Sequence, residues 1–273
     1  MTHYARPTDL SEALALLAQG HRVLAGGTDI YPAAGPALKG DILDVTALAD
    51  LRGIRFGDGL RIGAATSWTA IAEANLPPAL HALQQAALVV GGRQIQNAGT
   101  IGGNIANASP VADGIPPLLS LEAEVEIASA QGTRRLPLEK FLIGPRRVDL
   151  RADEMVVAVH IPTSALHGRS AFAKLGARAH LVISIAMVAV RLVVKTGRIA
   201  QAFVAVGACS GVALRLPLVE AALMGSPVLD AAERIQADQL AALTPIDDIR
   251  ATASYRRDAA LELLRRTVAQ VAG

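Results

Sequence analysis

The most informative stretches of this chain are AGGTD at residues 25–29 (the first glycine segment) and TIGGN at residues 100–104 (the second glycine segment). Glycine lets a backbone turn tightly and approach a ligand closely. Consecutive backbone N–H groups in such turns can form a concave anion site. If the two segments face each other, we expect them to hold a pyrophosphate without any lysine.

Each glycine pair taken alone is more often an ordinary turn. Neither segment continues into the Gly-Lys-Ser/Thr of a phosphate-binding P-loop. Neither has the G-x-G-x-x-G spacing of a Rossmann dinucleotide site. The spacing therefore argues against both of these nucleotide-binding classes.

The second glycine segment belongs to a Gly- and Asn-rich stretch, residues 91–110, which we predict to be a long functional loop. It continues as IANASPVAD to residue 113. The amides of Asn104 and Asn107 suit the edge of a flavin or a ribitol chain, and the carboxylate of Asp113 suits ribose hydroxyls. The alternative role for Asp113 is the N-cap of a helix that follows it.

The N-terminal half alternates between helix and strand patterns. Apolar residues recur at helical spacing over residues 10–18, and a buried strand at residues 22–25 leads into the first glycine segment. Alternating apolar residues on both sides of residues 57–59 predict a β-hairpin over residues 53–65. A longer apolar helix is predicted from residue 79 to about residue 90.

Beyond residue 168 the pattern changes to β-branched strands followed by helices. Residues 182–194 and 199–209 predict an antiparallel pair of strands. Helices are predicted over residues 218–224, 231–243 and 256–271. Strands followed by helices are typical of α+β proteins. We expect domain boundaries near residues 52 and 166.

Composition excludes several classes of protein. Hydrophobic residues make up 52% of the chain and charged residues 18%, which is typical of a packed globular protein. Aromatic residues make up only 3%, and no long basic run occurs, which argues against a nucleic-acid binder. No apolar stretch is long enough to span a bilayer, and a cytoplasmic protein is expected.

The chain also carries few groups suited to catalysis. Cys209 is the only cysteine, so this chain cannot by itself hold an iron–sulfur cluster; it is expected to be a buried, small apolar residue. No nucleophile elbow occurs, and no histidine pair has metal-ligand spacing. Such a chain would depend on a redox cofactor for its reactivity.

The two glycine segments together resemble the FAD-binding (medium) subunits of the molybdenum hydroxylases, the family that includes xanthine dehydrogenase and carbon monoxide dehydrogenase. Further blocks are similar to the same family. They are EKFLIGP (residues 139–145), DEMVV (153–157), FAKLGAR (172–178), SYRR (254–257) and LLRR (263–266). The resemblance therefore covers nearly the whole chain.

The resemblance implies an α+β fold. Two FAD-binding subdomains of the PCMH/vanillyl-alcohol-oxidase type, residues 1–52 and 53–166, would clasp FAD between them. Residues 167–273 would form a C-terminal domain like that of the carbon monoxide dehydrogenase flavoprotein, with helices and a three-stranded antiparallel sheet.

The resemblance also implies which residues contact FAD. One group would wrap the pyrophosphate, namely Val23, Leu24, Ala25, Gly26, Gly27, Thr28, Asp29 and Ile30. A second group would meet the pyrophosphate and the flavin or line the cofactor, namely Gly91, Ile95, Gly99, Thr100, Gly102, Gly103 and Asn104. Asn107 and Asp113 would hold hydroxyls, and Val156 and Lys174 would lie near the adenine and flavin portions. None of these residues would be an acid–base catalyst, and no metal ligand is expected.

Partners are implied as well. A molybdopterin-binding large subunit would oxidise the substrate, and a small subunit would carry two [2Fe–2S] clusters that deliver electrons to non-covalently bound FAD. A dimer of heterotrimers is expected.

The sequence departs from xanthine dehydrogenases at residues 179–182, where AHLV replaces an acidic loop. This departure puts NAD as the electron acceptor in doubt.

Two alternatives to an electron-transfer subunit remain open from the sequence. One is a self-contained FAD-dependent oxidoreductase of the same fold, and the other is a scaffold that has lost FAD. The intact glycine pairs argue against the scaffold.

Overall fold

The computed structural model describes residues 3–35, 37–178 and 182–273, and its N-terminal part contains a small parallel sheet. Its elements are β1 (Tyr4–Ala5), α1 (Leu10–Ala18), β2 (Arg22–Leu24), α2 (Ile30–Ala33) and β3 (Ile42–Asp44). The strand order is β1-β3-β2. The predicted first helix is confirmed, and it begins where the Asp9 side chain accepts hydrogen bonds from the N–H groups of Ser11 and Glu12.

The middle of the chain builds a five-stranded antiparallel sheet, flanked by short helices. The elements are β4 (Ile54–Gly57), β5 (Gly59–Gly63), α3 (Trp68–Glu73), α4 (His81–Val89), α5 (Arg93–Ala98), α6 (Ile101–Asn107), α7 (Ile115–Ser120), β6 (Glu124–Ser129), β7 (Gly132–Pro137), α8 (Leu138–Phe141), β8 (Leu142–Gly144), β9 (Arg147–Val148) and β10 (Met155–Ile161). The large sheet has the order β4-β5-β10-β6-β7, and β8 pairs with β9. The predicted hairpin is confirmed as β4 and β5.

The prediction of a long loop at residues 91–110 is wrong, because α5 and α6 occupy most of it. Glycine and asparagine disfavour helix on propensity alone. Packing overrides this preference: Ile101 and Ile105 lie on one face of α6 and are completely buried. The Thr100 hydroxyl caps α6 by accepting a hydrogen bond from the Gly103 N–H.

The C-terminal part forms a sheet covered by helices. Its elements are β11 (Arg169–Leu175), β12 (Ala186–Lys195), β13 (Arg198–Gly207), β14 (Leu214–Arg215), α9 (Pro217–Leu223) and α10 (Ala253–Ala272). The sheet is antiparallel with the order β11-β12-β13-β14. Three strands were expected; a short fourth strand, β14, is added at the edge beside β13.

The predicted helix at residues 231–243 is also wrong. Two 3-10 segments, Val228–Arg234 and Ala237–Leu240, stand there instead. The backbone becomes extended between them at Ile235 and Gln236. The Ile235 side chain is completely buried, and its carbonyl accepts two hydrogen bonds from Arg265, so tertiary contacts fix the break.

Two large hydrophobic clusters hold the chain together. One lies against the five-stranded sheet and includes Trp68, and the other lies between the C-terminal sheet and α10. The second cluster contains Cys209, and burial raises the pKa of its thiol to about 11. This confirms the prediction of a buried, small apolar residue.

Helices α4 and α7 pack against the C-terminal strands, so the middle and C-terminal parts of the chain share an interface. Across the described ranges, no helix combines the length and apolar character needed to cross a membrane.

Candidate functional site

A cleft of about 390 Å³ lies where the two glycine segments meet. Ligand sites in proteins typically have volumes of roughly 300–1,000 Å³. The predicted site residues that line it are Val23, Ala25, Gly26, Gly27, Thr28, Asp29, Ile30, Ile95, Gly99, Thr100, Gly102, Gly103, Asn104, Asn107 and Val156. The structure therefore brings together most residues of the predicted site.

The first glycine segment and the adjoining Ile30 line this cleft and carry unused hydrogen-bond donors. Within the described residues, the backbone N–H groups from Gly26 to Ile30 have no hydrogen-bond partner. Gly27 has φ +68°, a conformation that favours glycine, and the Tyr31 ring lies against it. Because unpaired N–H groups at a protein surface attract anions, this run fits a diphosphate.

Gly26 has a second, structural role. A Cβ atom built on Gly26 would overlap the carbonyl group of Ala98 and come within 3.0 Å of the Gly99 Cα. The absence of a side chain therefore lets the first glycine segment pack directly against the backbone that precedes α6.

The second glycine segment does not offer a free anion site. The N–H of Ile101 donates to the Thr66 carbonyl at 3.1 Å and that of Gly102 donates to the Ala64 carbonyl at 2.9 Å. The N–H of Gly103 donates to the Thr100 hydroxyl at 3.1 Å. The prediction of an anion site made of N–H groups in this segment is therefore wrong, because protein acceptors already bind them.

The second segment instead shapes the wall of the cleft. Gly102 packs against Ala64, since an added Cβ would lie 2.6 Å from the Ala64 Cβ. Gly103 is exposed, and the one described neighbour within 4 Å of an added Cβ would be the Thr100 hydroxyl, at 3.0 Å. The Asn104 Oδ1 atom is buried, and no described residue forms a hydrogen bond with it. A small, polar wall of this kind fits a cofactor that approaches the backbone closely.

Two further cleft residues have fixed side chains. The Asn107 Oδ1 accepts a hydrogen bond of 2.8 Å from Arg146. Glu154, which is not among the predicted site residues, lines the cleft and accepts two hydrogen bonds of 2.8 Å from Arg134. These bonds hold the pKa of Glu154 below its ordinary value. Glu154 belongs to the motif DEMVV. Its partner Arg134 lies 20 residues earlier in the chain, and no sequence pattern indicates that the two side chains pair.

Asp113 and Lys174 lie together but outside the residues that line the cleft. Their side chains form a largely buried ion pair at 2.8 Å, and the Ser184 hydroxyl donates to Asp113 at 3.4 Å. Burial raises the pKa of Asp113 despite the opposing effect of Lys174. The alternative role as a helix cap is wrong, because Gly114 stands at the N-cap of α7 with no side-chain cap.

Two other predicted residues also lie away from the cleft wall. The Leu24 side chain is buried in the core, with 2% of its surface exposed. Gly91 has φ +56° and packs against Ile95, which does line the cleft. Of the departure from xanthine dehydrogenases, Ala179, His180 and Leu181 lie outside the described residues. The described residues contain no group of three side chains suited to a metal ion.

Comparison with known proteins identifies the family. The family described as "FAD binding domain in molybdopterin dehydrogenase" matches residues 1–164, and the "CO dehydrogenase flavoprotein C-terminal domain" matches residues 171–271. A xanthine dehydrogenase FAD-binding subunit of Escherichia coli O157:H7 is 34% identical over 93% of this chain and 90% of its own length. The nicotine 6-hydroxylase medium subunit of Paenarthrobacter nicotinovorans is 30% identical over 98% of this chain and 96% of its own length.

A solved structure agrees with these relatives. A carbon monoxide dehydrogenase from Hydrogenophaga pseudoflava superimposes with a TM-score of 0.88 at 29% identity, covering 99% of this chain and 96% of the other. Its fold combines the same FAD-binding and C-terminal parts. The chain therefore belongs to the FAD-binding medium subunits of the molybdenum hydroxylases, and it is an oxidoreductase flavoprotein subunit of the xanthine dehydrogenase and carbon monoxide dehydrogenase type.

Proposed function

We propose that this chain binds FAD in the cleft between the glycine segments and conveys electrons from [2Fe–2S] clusters on a partner subunit to an external acceptor. The observation that carries the placement is the run of five backbone N–H groups from Gly26 to Ile30 that have no partner among the described residues, because such a run suits the FAD diphosphate. Bound FAD supplies the redox chemistry, and the protein positions and tunes it.

Each part of the cleft has a proposed task. The first glycine segment donates N–H groups to the diphosphate. The exposed Gly103 leaves space for close approach, and Asn104 and Asn107 meet polar groups of the flavin or its ribitol. Val156 contributes an apolar wall. The Asp113 carboxylate, which pairs with Lys174 and accepts a hydrogen bond from Ser184, holds a ribityl or ribose hydroxyl of FAD.

We also propose the domain division that the resemblance implies: FAD-binding subdomains at residues 1–52 and 53–166, and a C-terminal domain at 167–273. The parallel sheet ends before the first boundary, and β11 begins after the second. The cleft draws its lining from both proposed subdomains, which suits a cofactor clasped between them.

The partners follow from what this chain lacks and from its relatives. With Cys209 as its only cysteine, the chain cannot hold the clusters. Its relatives include the medium subunit of a nicotine hydroxylase and the medium chain of a carbon monoxide dehydrogenase. We therefore propose a molybdopterin-binding large subunit and a [2Fe–2S] small subunit as partners, in a dimer of heterotrimers in the cytoplasm.

The test compares the chain alone with the chain co-expressed with its two partner subunits. Candidate reducing substrates (purines, aldehydes, N-heterocycles and CO) are added without oxygen while the absorbance of oxidised flavin is followed. We expect bleaching only in the complex, because the substrate is oxidised on the large subunit. Bleaching of the isolated chain by one of these substrates would instead establish the self-contained oxidoreductase.

A further inference from the structure

The cleft has an unusual charge balance for a site that takes a diphosphate. Within the described chain, its charged lining residues are Arg22, Asp29 and Glu154. The Glu154 carboxylate is occupied by the guanidinium of Arg134 at 2.8 Å. The Asp29 carboxylate has no ion-pair partner among the described residues. A dianionic ligand in the cleft would therefore meet one carboxylate without an ion pair, that of Asp29, and one cation, the guanidinium of Arg22.

The Arg22 guanidinium is available to pair with a ligand. Across residues 3–35, 37–178 and 182–273, its side chain makes no hydrogen bond and no ion pair, unlike those of Arg134 and Arg191. Its backbone is fixed, however. Arg22 pairs with Ile42 in the parallel sheet, and its N–H donates to the Asp41 carbonyl at 2.7 Å.

Arg22 lies close in sequence to the unpartnered N–H groups of Gly26 to Ile30. It opens β2, the strand that leads directly into the first glycine segment, and it lines the same cleft as Gly26 to Ile30. Backbone N–H groups contribute only partial positive charge, whereas a guanidinium contributes a full charge and a planar fork that fits phosphate oxygens. A cation placed here can balance the charge that the N–H groups alone do not.

We infer that Arg22 is a specificity-determining residue for the cofactor: its guanidinium pairs with the diphosphate and makes the cleft prefer a flavin dinucleotide over an uncharged flavin. This inference rests on the proposed placement of FAD in the cleft. Arg22 acts in binding only and takes no part in electron transfer.

The test measures dissociation constants of the flavin-free full-length chain for FAD and for riboflavin, which has no phosphate. The proteins are the wild type, Arg22→Gln, Arg22→Lys and the control Arg55→Gln, which alters an exposed arginine of β4 outside the cleft. We expect Arg22→Gln to weaken FAD binding about tenfold, as for a charge-assisted hydrogen bond. Riboflavin binding should be unchanged, Arg22→Lys should recover part of the loss, and Arg55→Gln should match the wild type.

The salt dependence gives a second, independent reading. FAD binding to the wild type should weaken as sodium chloride rises, and this dependence should be shallower for Arg22→Gln because one ion pair is missing. Unchanged FAD affinity and an unchanged salt dependence in Arg22→Gln would overturn the inference while leaving the proposed function intact. A wild-type chain that does not bind FAD would instead remove the proposed function itself.

Discussion

The two glycine segments look alike in sequence but differ in what their backbones do. In the first segment, the N–H groups from Gly26 to Ile30 are unpartnered within the described chain. In the second, the N–H groups of Ile101, Gly102 and Gly103 already donate to protein oxygens. A Gly-Gly pair in a binding motif can therefore pack closely against protein in both cases and yet leave its N–H groups available to a ligand in only one.

The largest expected effect tests the packing role within the first segment. Gly26→Ala should lower the free energy of unfolding by about 3 kcal/mol, because the new methyl group overlaps the Ala98 carbonyl. Urea denaturation measures it. Gly57→Ala is the matched control, since no described atom lies within 4 Å of a Cβ added there. Equal stability of the two variants would show that the segments do not pack as described.

Gly103→Val separates ligand space from packing in the second segment. Among the described residues, a Cβ added at Gly103 comes within 4 Å of the Thr100 hydroxyl alone, so the protein should still fold. It would occupy the space proposed for the cofactor, and FAD binding should weaken by roughly a hundredfold, or about 2.7 kcal/mol. Flavin content and thermal unfolding are measured together. Full flavin occupancy in a folded Gly103→Val protein would refute the placement of FAD.

Thr100→Val tests whether the hydroxyl mainly serves the helix. Loss of the N-cap bond to Gly103 should cost about 1 kcal/mol of stability. Thr100→Ser keeps a capping hydroxyl and should remain close to the wild type. Denaturant unfolding of both variants measures the difference. If the valine variant were as stable as the serine variant, the cap would contribute nothing.

The smallest effect concerns the carboxylate in the cleft wall. The pKa of Glu154 is lowered from its ordinary value of 4.5, chiefly by its hydrogen bonds to Arg134. A lowered pKa contributes stability above pH 4.5 that is lost as the pH falls through the folded-state pKa. Glu154→Gln should therefore be less stable than the wild type at neutral pH, by about 0.5 kcal/mol, with the gap closing in acid.

Unfolding at a series of pH values measures this effect. Glu233→Gln is the control, because the structure gives this exposed carboxyl no ion pair among the described residues. A stability gap for Glu154→Gln that stays constant down to strongly acidic pH would show that Arg134 does not hold this carboxylate in its charged form.

The sequence predicts those helices and strands that are determined by a local pattern of residues. The spacing of apolar residues and the Asp9 cap define α1, and the Gly57 to Gly59 turn defines the β4–β5 hairpin. It failed at α5 and α6, because the burial of Ile101 and Ile105 outweighs the weak helix propensity of glycine and asparagine.

The candidate site shows the same division. The sequence motifs contain most of the residues that line the cleft. They give no sign of the ion pair between Asp113 and Lys174, which lie 61 positions apart. The role of Arg22 is equally invisible in sequence, since it depends on which cations elsewhere are already paired. Long-range pairing of charges leaves no local pattern, and only the folded structure reveals it.

FAD binding is tested most directly by the visible absorption spectrum of the purified chain, with the cofactor released on denaturation identified by mass. We expect the bands of oxidised flavin and the mass of FAD. A colourless chain that takes up no added FAD, and that remains colourless when co-expressed with its partner subunits, would contradict this expectation.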